Sequence, residues 1–351
     1  MLLIRPSALG DVCRSVPVAA ELKRLFPEAR LDWLVQDSFA DAVRAHPAVD
    51  GVVLFARNRL KDGLGAKRTV VRDLRRTLRE ARYDLVVDAQ GLLRSGLMAW
   101  ATGAAVRIGH GDARECGWLG YTHAVPRRWV HTVDHMLSLL EPLGRVMPAG
   151  GSTGRLPAAW QLACPAEALT WAAEQPWAGG GGRDGGRNVV LAPTSRWAAK
   201  AWPIERFDAL AARLLGRGLC ERVLVVGGPG EQAQCRPLLE RAAADPRVVD
   251  LVGRTSIGQL MAVIRGAALV VANDSAAVHM AAGFDRPLVA LYGPTDLAKV
   301  GPFLRGADAV QVRRESDTLD HKSAAGVVMM QRIGLEVVEQ MAAARLAGSG
   351  R

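Results

Sequence analysis

The stretch Leu269–Asp296, LVVANDSAAVHMAAGFDRPLVALYGPTD, decides how the rest of the chain is read. Leu269–Ala272 is a short apolar run, the pattern of a strand buried on both faces. Asn273, Asp274 and Ser275 then supply N-cap side chains. The pattern predicts a helix over Ser275–Ala282, with Gly283 able to end it in a left-handed cap, and a further strand over Pro287–Leu291. A helix start at the carboxyl edge of a parallel sheet presents free N–H groups, and there α/β proteins hold phosphate. Small side chains at Ser275, Ala276 and Ala277 let an anion come close to the backbone. The same residues also describe an ordinary capped βαβ unit with a solvated Asp274, and this stretch alone leaves both readings open.

Working outward, the same strand–loop–helix logic fills both halves. Leu2–Ile4, Leu31–Val35, Gly51–Phe55 and Leu85–Val87 read as strands in the first half, and Val189–Ala192, Val223–Val226 and Val248–Leu251 in the second. Strands alternating with helices predict α/β architecture with parallel, doubly wound sheets. Each strand feeds a loop of Gly, Ser, Thr or charged residues on one edge. After the first strand, Gly10 permits a tight turn. Val12, Val16, Ala19, Leu22 and Phe26 then follow helical spacing, and Pro17 requires the helix to start near Ser15 or to kink there. Asp11 thus sits where the first strand hands over to the first helix. Asp88-Ala89-Gln90 follow the fourth strand. Arg107–Cys116, RIGHGDAREC, reads as a Gly-rich loop whose Arg114 either pairs locally or faces a ligand. The glycine-bearing segment Pro148–Arg187, with a short helix over Ala166–Glu174, reads as the boundary between a domain 1–178 and a domain 187–332. A last helix falls near Ile333–Leu346, followed by a frayed tail.

A chain of 351 residues suits two domains of this kind. It contains no run of about 18 apolar residues, so no spanning helix is expected. Its first residues enter a strand without the apolar region of a signal peptide. Cys13, Cys116, Cys164, Cys220 and Cys235 are scattered and form no CxxC pair, which argues for reduced thiols in a cytosolic protein. The net charge of +10 implies an anionic partner: nucleic acid, a membrane surface or a phosphorylated substrate. Arg57, Arg59 and Lys61 cluster in a loop after the third strand and favour anion binding there. Val70, Val71, Leu74, Leu78 and Ala81 mark the buried face of the next helix, and Arg72, Arg75, Arg76 and Arg79 its solvated face. His131 and His135 have a helical metal-ligand spacing, but no third ligand or HExxH pattern accompanies them, which argues against a metal.

Several blocks taken together are more specific: SALGD (Ser7–Asp11), DAQGLLRSG (Asp88–Gly96), GDARE (Gly111–Glu115), TSRWAAKAWP (Thr194–Pro203), GGPGE (Gly227–Glu231), and NDSAAVHMAA (Asn273–Ala282) with YGPTD (Tyr292–Asp296). In this order, over nearly the whole length, the chain resembles family 9 glycosyltransferases, most of all their ADP-heptose heptosyltransferase I branch. The resemblance implies a GT-B fold, two Rossmann-like domains facing across a cleft. It implies an inverting, metal-independent transferase that uses a nucleotide sugar, ADP-heptose, and no cofactor. Asp11 matches the general base, whose carboxylate takes the acceptor hydroxyl's proton during attack on the anomeric carbon. Lys200 matches the cation that meets charge on the departing diphosphate. Thr194, Ser195, Asp274, Ser275, Ala276 and His279 match donor-binding positions, Glu231 the acid expected on the ribose, and Thr255 the loop expected near adenine. Arg57, Arg59, Lys61, Gln90 and Arg114 match positions that meet the acceptor, an acidic Kdo-bearing lipid A at the inner leaflet. The expected location is therefore cytoplasmic and peripheral on the inner membrane. The last helix is expected to pack back on the N-terminal domain.

Ser275-Ala276 stands where the family often has Thr-Gly. Trp197-Ala198-Ala199 lengthens the loop before Lys200 relative to the heptosyltransferase I branch and is more like the wider family. Three other functions fit parts of the sequence. One is a same-fold transferase with another nucleotide sugar, and another is a sugar-nucleotide epimerase. A basic nucleic-acid binder is the third, but low aromatic content and the lack of any nucleic-acid-binding motif count against it.

Overall fold

A computed structural model describes residues 1–178, 187–320 and 325–348. The chain divides into two compact units, Met1–Ala163 and Cys164–Arg351. The first unit is built on strands β1 (Leu2–Ile4), β2 (Asp32–Gln36), β3 (Gly51–Phe55), β4 (Leu85–Asp88), β5 (Val106–His110) and β6 (His123–Val125), all parallel, in the order β3-β2-β1-β4-β5-β6. Its helices are α1 (Leu9–Arg14), α2 (Val16–Leu25), α3 (Leu64–Glu80), α4 (Leu93–Thr102) and α5 (Thr132–Leu137). Leu2 and Ile4 face one side of the sheet with Leu34, Val53 and Val86, where Val70 and Leu78 of α3 and Met98 and Ala99 of α4 cover them. Leu3 is buried as well, so the central strand is apolar on both faces, as a covered parallel strand must be.

The second unit repeats the plan. Strands β7 (Asn188–Ala192), β8 (Arg222–Val225), β9 (Val248–Asp250), β10 (Leu269–Asn273), β11 (Leu288–Leu291) and β12 (Ala309–Val310) are parallel in the order β12-β11-β10-β7-β8-β9. The helices are α6 (Ala166–Ala173), α7 (Ile204–Gly216), α8 (Arg236–Ala244), α9 (Ile257–Arg265), α10 (Ala276–Gly283), α11 (Leu297–Val300), α12 (Ala325–Gln331) and α13 (Leu335–Gly348). In both units the strand order reverses beside the first strand, between β1 and β4 and between β7 and β10. Helices leave the sheet on opposite faces at such a point, which opens a crevice at the carboxyl edge.

Several boundaries differ from the sequence reading. The division falls at Ala163/Cys164, ahead of the boundary at 178, because α6 packs on α9 and the Trp177 carbonyl accepts from Asn188 Nδ2 at 3.0 Å. Gly150 and Gly151 are turn residues with positive φ, and the next amide, Ser152 N, donates to Asp134 Oδ1 at 3.1 Å. The runs Gly179–Gly182 and Gly185-Gly186, and the tail beyond 348, lie outside the described residues. The last helix packs on α7 of its own unit, where the sequence reading placed it on the first: Val338 and Ala342 enter the second unit's core, and Glu339 pairs with Arg213 and Arg217. Pro17 acts as expected, since α1 and α2 break at Ser15 and Pro17 opens the second helix. Gly10, expected in a tight turn, lies in the first turn of α1. Gly283 ends α10 as a helical residue, and the left-handed position is Asp285, with φ 53°. Val71 and Ala81, expected on the buried face of α3, are exposed.

Close backbone approach explains one glycine pair. α4 lies on the 3₁₀ turn Arg114–Gly120, and a Cβ built on Gly96 would stand 2.1 Å from the Gly117 carbonyl oxygen. No side chain is in the way to yield. Gly96→Ala is therefore expected to lower stability by about 1–3 kcal/mol through forced separation of helix and turn. Gly65→Ala, at an open position in α3, should raise it by about 0.4–1 kcal/mol. Urea unfolding of the two variants beside the parent protein checks both signs.

Candidate functional site

In the second unit the reversal point brings the loops after β7 and β10 together. Asn273, the last residue of β10, is fully buried; its Nδ2 donates to the Pro193 carbonyl at 2.6 Å and its Oδ1 accepts from Trp202 N at 3.1 Å. The loop Pro193–Trp202 is thereby fixed at both ends over the start of α10. Lys200 Nζ then reaches Asp274 Oδ2 at 2.7 Å, and Thr295 Oγ1 donates to the same oxygen at 2.6 Å. Ser275 is the N-cap in extended backbone, and its hydroxyl makes no cap hydrogen bond. The first-turn amides of α10 have no intrahelical acceptor. An ammonium paired with a carboxylate and the first-turn amides thus stand side by side, an arrangement able to take an anion and to stabilise charge building on one.

The other predicted donor positions follow strands β7, β8, β9 and β10 of the same parallel sheet. Thr194 is buried, and Ser195 N donates to Gln234 Oε1 at 3.2 Å. Glu231 turns its carboxylate onto Gly228 N at 2.6 Å, which shapes the GGPGE loop. Thr255 is half-buried, one residue before Ser256, the N-cap of α9. Ala276 opens α10, and His279 lies one turn further on, buried.

In the first unit Asp11 lies in the first turn of α1, at the edge beside β4. Two guanidinium groups hold it: Arg5 Nη2 at 3.1 Å and Arg14 Nη2, which bonds the other carboxylate oxygen. Ser7 ties this loop to its neighbours, its N–H donating to Gln90 Oε1 at 3.2 Å and its hydroxyl accepting from Arg57 Nη1 at 3.4 Å. The Gln90 loop is itself fixed by Asp88, fully buried, which accepts from Gln90 N at 2.8 Å and from the Tyr121 hydroxyl at 2.6 Å. Burial pushes the Asp88 carboxyl up and the Tyr121 phenol up. Asp11, Gln90 and Arg57 are therefore brought together. Arg59 and Lys61 are exposed on the 3₁₀ turn Arg57–Lys61, and the Arg114 side chain is exposed while its amide bonds the Gly91 carbonyl.

A model of glycosyltransferase family 9 (heptosyltransferase) matches residues 71–327. The chain belongs to glycosyltransferase family 9. A lipopolysaccharide heptosyltransferase 1 from Pseudomonas aeruginosa is 30% identical over 312 residues, 87% of this chain and 81% of that one. Among solved structures, E. coli ADP-heptose lps heptosyltransferase II aligns with a TM-score of 0.76 at 22% identity, covering 100% and 99% of the two chains. E. coli heptosyltransferase WaaC with ADP-2-deoxy-2-fluoro heptose aligns at 0.69 and 25% identity, over 93% and 96%. The fold is the two-domain GT-B fold, and the protein is a glycosyltransferase.

Three features of this family 9 enzyme escaped the sequence reading. Arg5 and Arg14 were not connected to Asp11, although the three-residue spacing of Asp11 and Arg14 on a helix was a signal. Asn273 passed for an N-cap residue. The histidines also pair differently: His131 is the N-cap of α5 and accepts from Val133 N, while His135 stacks on His110 with ring centroids 3.5 Å apart. His110, Asp112 and His135 place their donor atoms within 4.8 Å of one another, a set able to take a cation, with Arg127 competing for the carboxylate at 3.1 Å. The sequence conceals His110 because RIGHGDAREC reads as a loop, whereas Val106–His110 is β5.

Burial pushes the His110 imidazole down to about 2, from an ordinary 6.5. The unfolded chain binds a proton at this site below pH 6.5 and the folded chain does not, so its stability contribution is complete above that pH and is lost as pH falls. The slope approaches about 1.4 kcal/mol per pH unit. His110→Phe is expected to lose about 1–2 kcal/mol less than the parent protein between pH 7.5 and 5. Urea unfolding at the two pH values checks it, and equal losses would remove His110 as the source.

Proposed function

We propose that this enzyme transfers heptose from ADP-heptose to the Kdo-containing inner core of lipopolysaccharide, with inversion and without a divalent metal in the chemical step. The observation that carries the reading is the Lys200–Asp274 pair at the start of α10, a cation and free amides at the second unit's reversal point. The names of the similar proteins supply the donor and the acceptor class. In this reading the donor diphosphate lies on the α10 start, against Ser275, Ala276 and Lys200, with Thr194, Ser195 and His279 beside it. Glu231 takes the ribose hydroxyls and Thr255 borders adenine.

The acceptor hydroxyl attacks the anomeric carbon while the bond from that carbon to the diphosphate oxygen breaks. Asp11 accepts the hydroxyl proton. Negative charge collects on the departing ADP, where Lys200 and the amides receive it. One displacement inverts the anomeric centre. Arg57, Arg59, Lys61, Gln90 and Arg114 meet the acidic acceptor. We place the enzyme peripherally on the cytoplasmic face of the inner membrane, where a lipid-borne acceptor is met; no helix among the described residues is long and apolar enough to cross a membrane.

The deciding experiment incubates the enzyme with ADP-heptose and a deacylated inner-core acceptor and reads the acceptor's mass. A gain of one heptose is expected, and no gain, with transfer from a different nucleotide sugar in a donor panel, would overturn the donor. Asp11→Asn should lower turnover by about 10²–10⁴-fold with ADP binding kept. Lys200→Ala should lower it by about 10²–10³-fold, and an unchanged rate in either variant would remove that residue's role. Arg14→Met takes away one of the two cations that hold Asp11 in place, and it should lower turnover while its ADP affinity stays that of the parent.

A further inference from the structure

The first unit carries an apolar surface that the transfer chemistry does not use. α4 turns Leu93, Leu97 and Trp100 outward at helical spacing, and they are 39%, 54% and 56% exposed. α3 exposes Val71 at 60%. Between the two helices runs a groove of about 450 Å³, with Phe55, Leu74 and Leu78 along it and Arg75, Arg94 and Glu115 as its charged lining. The Arg94 guanidinium lies over the Phe55 ring, 5.9 Å from its centroid. Contiguous exposed apolar surface of this kind marks an interaction site. Its surroundings are predominantly positive: from Arg57 to Glu80 there are nine lysines and arginines against three acidic residues.

We infer that this groove and its basic rim are the face on which the protein rests on an anionic lipid bilayer. Leu97 and Trp100 enter the hydrocarbon boundary, and the arginines of α3 meet lipid phosphates. The inference rests on the reading of the acceptor as a membrane lipid. A bilayer is the one partner that offers hydrocarbon and a continuous sheet of negative charge in adjoining layers. Exposed tryptophan is favoured at that boundary, and basic helices with an apolar face lie in its plane. The placement also serves the site. α3 follows the turn Arg57–Lys61, and α4 follows the Gln90 loop, so the groove begins at Leu60 and Leu93, on the carboxyl edge that carries Asp11. A headgroup held at that edge would keep its acyl chains on the groove side.

The test is co-sedimentation of the full chain with vesicles of phosphatidylcholine alone and of phosphatidylcholine with one-third phosphatidylglycerol. Binding is expected to the anionic vesicles only, weaker at higher salt. Leu97→Glu with Trp100→Glu should weaken it by about tenfold or more, and Arg75→Glu with Arg76→Glu should also weaken it. Circular dichroism confirms that these exposed substitutions leave the fold intact. The Leu97/Trp100 variant should keep its rate on the deacylated acceptor. No binding by the parent protein, or equal binding by the variants, overturns the inference. So does a dimer in analytical ultracentrifugation that the Leu97/Trp100 variant breaks, since a second copy would then cover the groove. Vesicle binding by a parent protein that transfers no heptose to the soluble acceptor would refute the heptose-transfer reading and leave the docking face standing.

Discussion

The candidate site of the second unit depends on one buried carboxamide. Asn273 ends β10, and its side chain holds Pro193 and Trp202, the two ends of the loop that carries Lys200. Both bonds are buried, so neither can be exchanged for water without leaving a polar group unpaired. With the loop fixed, Lys200 meets Asp274 one residue after Asn273, and the ammonium stands at the helix start. The loop residues before the lysine still deliver it to one point, because Ala198–Lys200 is wound into a short 3₁₀ turn.

The two units solve the same topological problem with opposite charges. Each reverses its strand order beside its first strand, and each places an ion pair at the crevice that results. In the first unit a carboxylate, Asp11, is held by two guanidiniums. In the second a cation, Lys200, is held by a carboxylate and, through it, a threonine hydroxyl. In the proposed transfer reading the first arrangement takes up a proton and the second meets charge on a leaving diphosphate. The difference in charge follows from which side chain the loop presents, since the strands beneath are alike.

The sequence made the central strands legible because they are apolar on both faces and bounded by polar loops. Gly51–Phe55 falls where its pattern put it. The strands it concealed are those whose pattern is broken for a packing reason. β5 contains Gly109 because the Tyr121 ring occupies the space a Cβ would need, 2.2 Å away, so a buried strand reads as a glycine loop. β6 and β12 are three and two residues long, too short to show alternation. Motif residues that act through sequence neighbours, such as Asp11 in its helix turn, were visible. Residues that act across the fold were not, because Asn273 and Pro193 are 80 positions apart and nothing local links them.

Net charge illustrates the same limit at the scale of the whole chain. A surplus of +10 says only that some anion is a partner. In the second unit many arginines are committed to structure: Arg213 and Arg217 hold Glu339, Arg241 holds Asp208, Arg305 and Arg345 share Asp308, and Arg332 holds Asp317. Between Arg57 and Glu80 the carboxylates are too few to neutralise the cations, whatever rotamers the side chains adopt. The field that an acidic ligand would feel is therefore concentrated on one helix and one turn of the first unit. That turn reaches the Asp11 loop through Arg57 and Ser7, so the basic turn and the Asp11 carboxylate share one edge of one sheet.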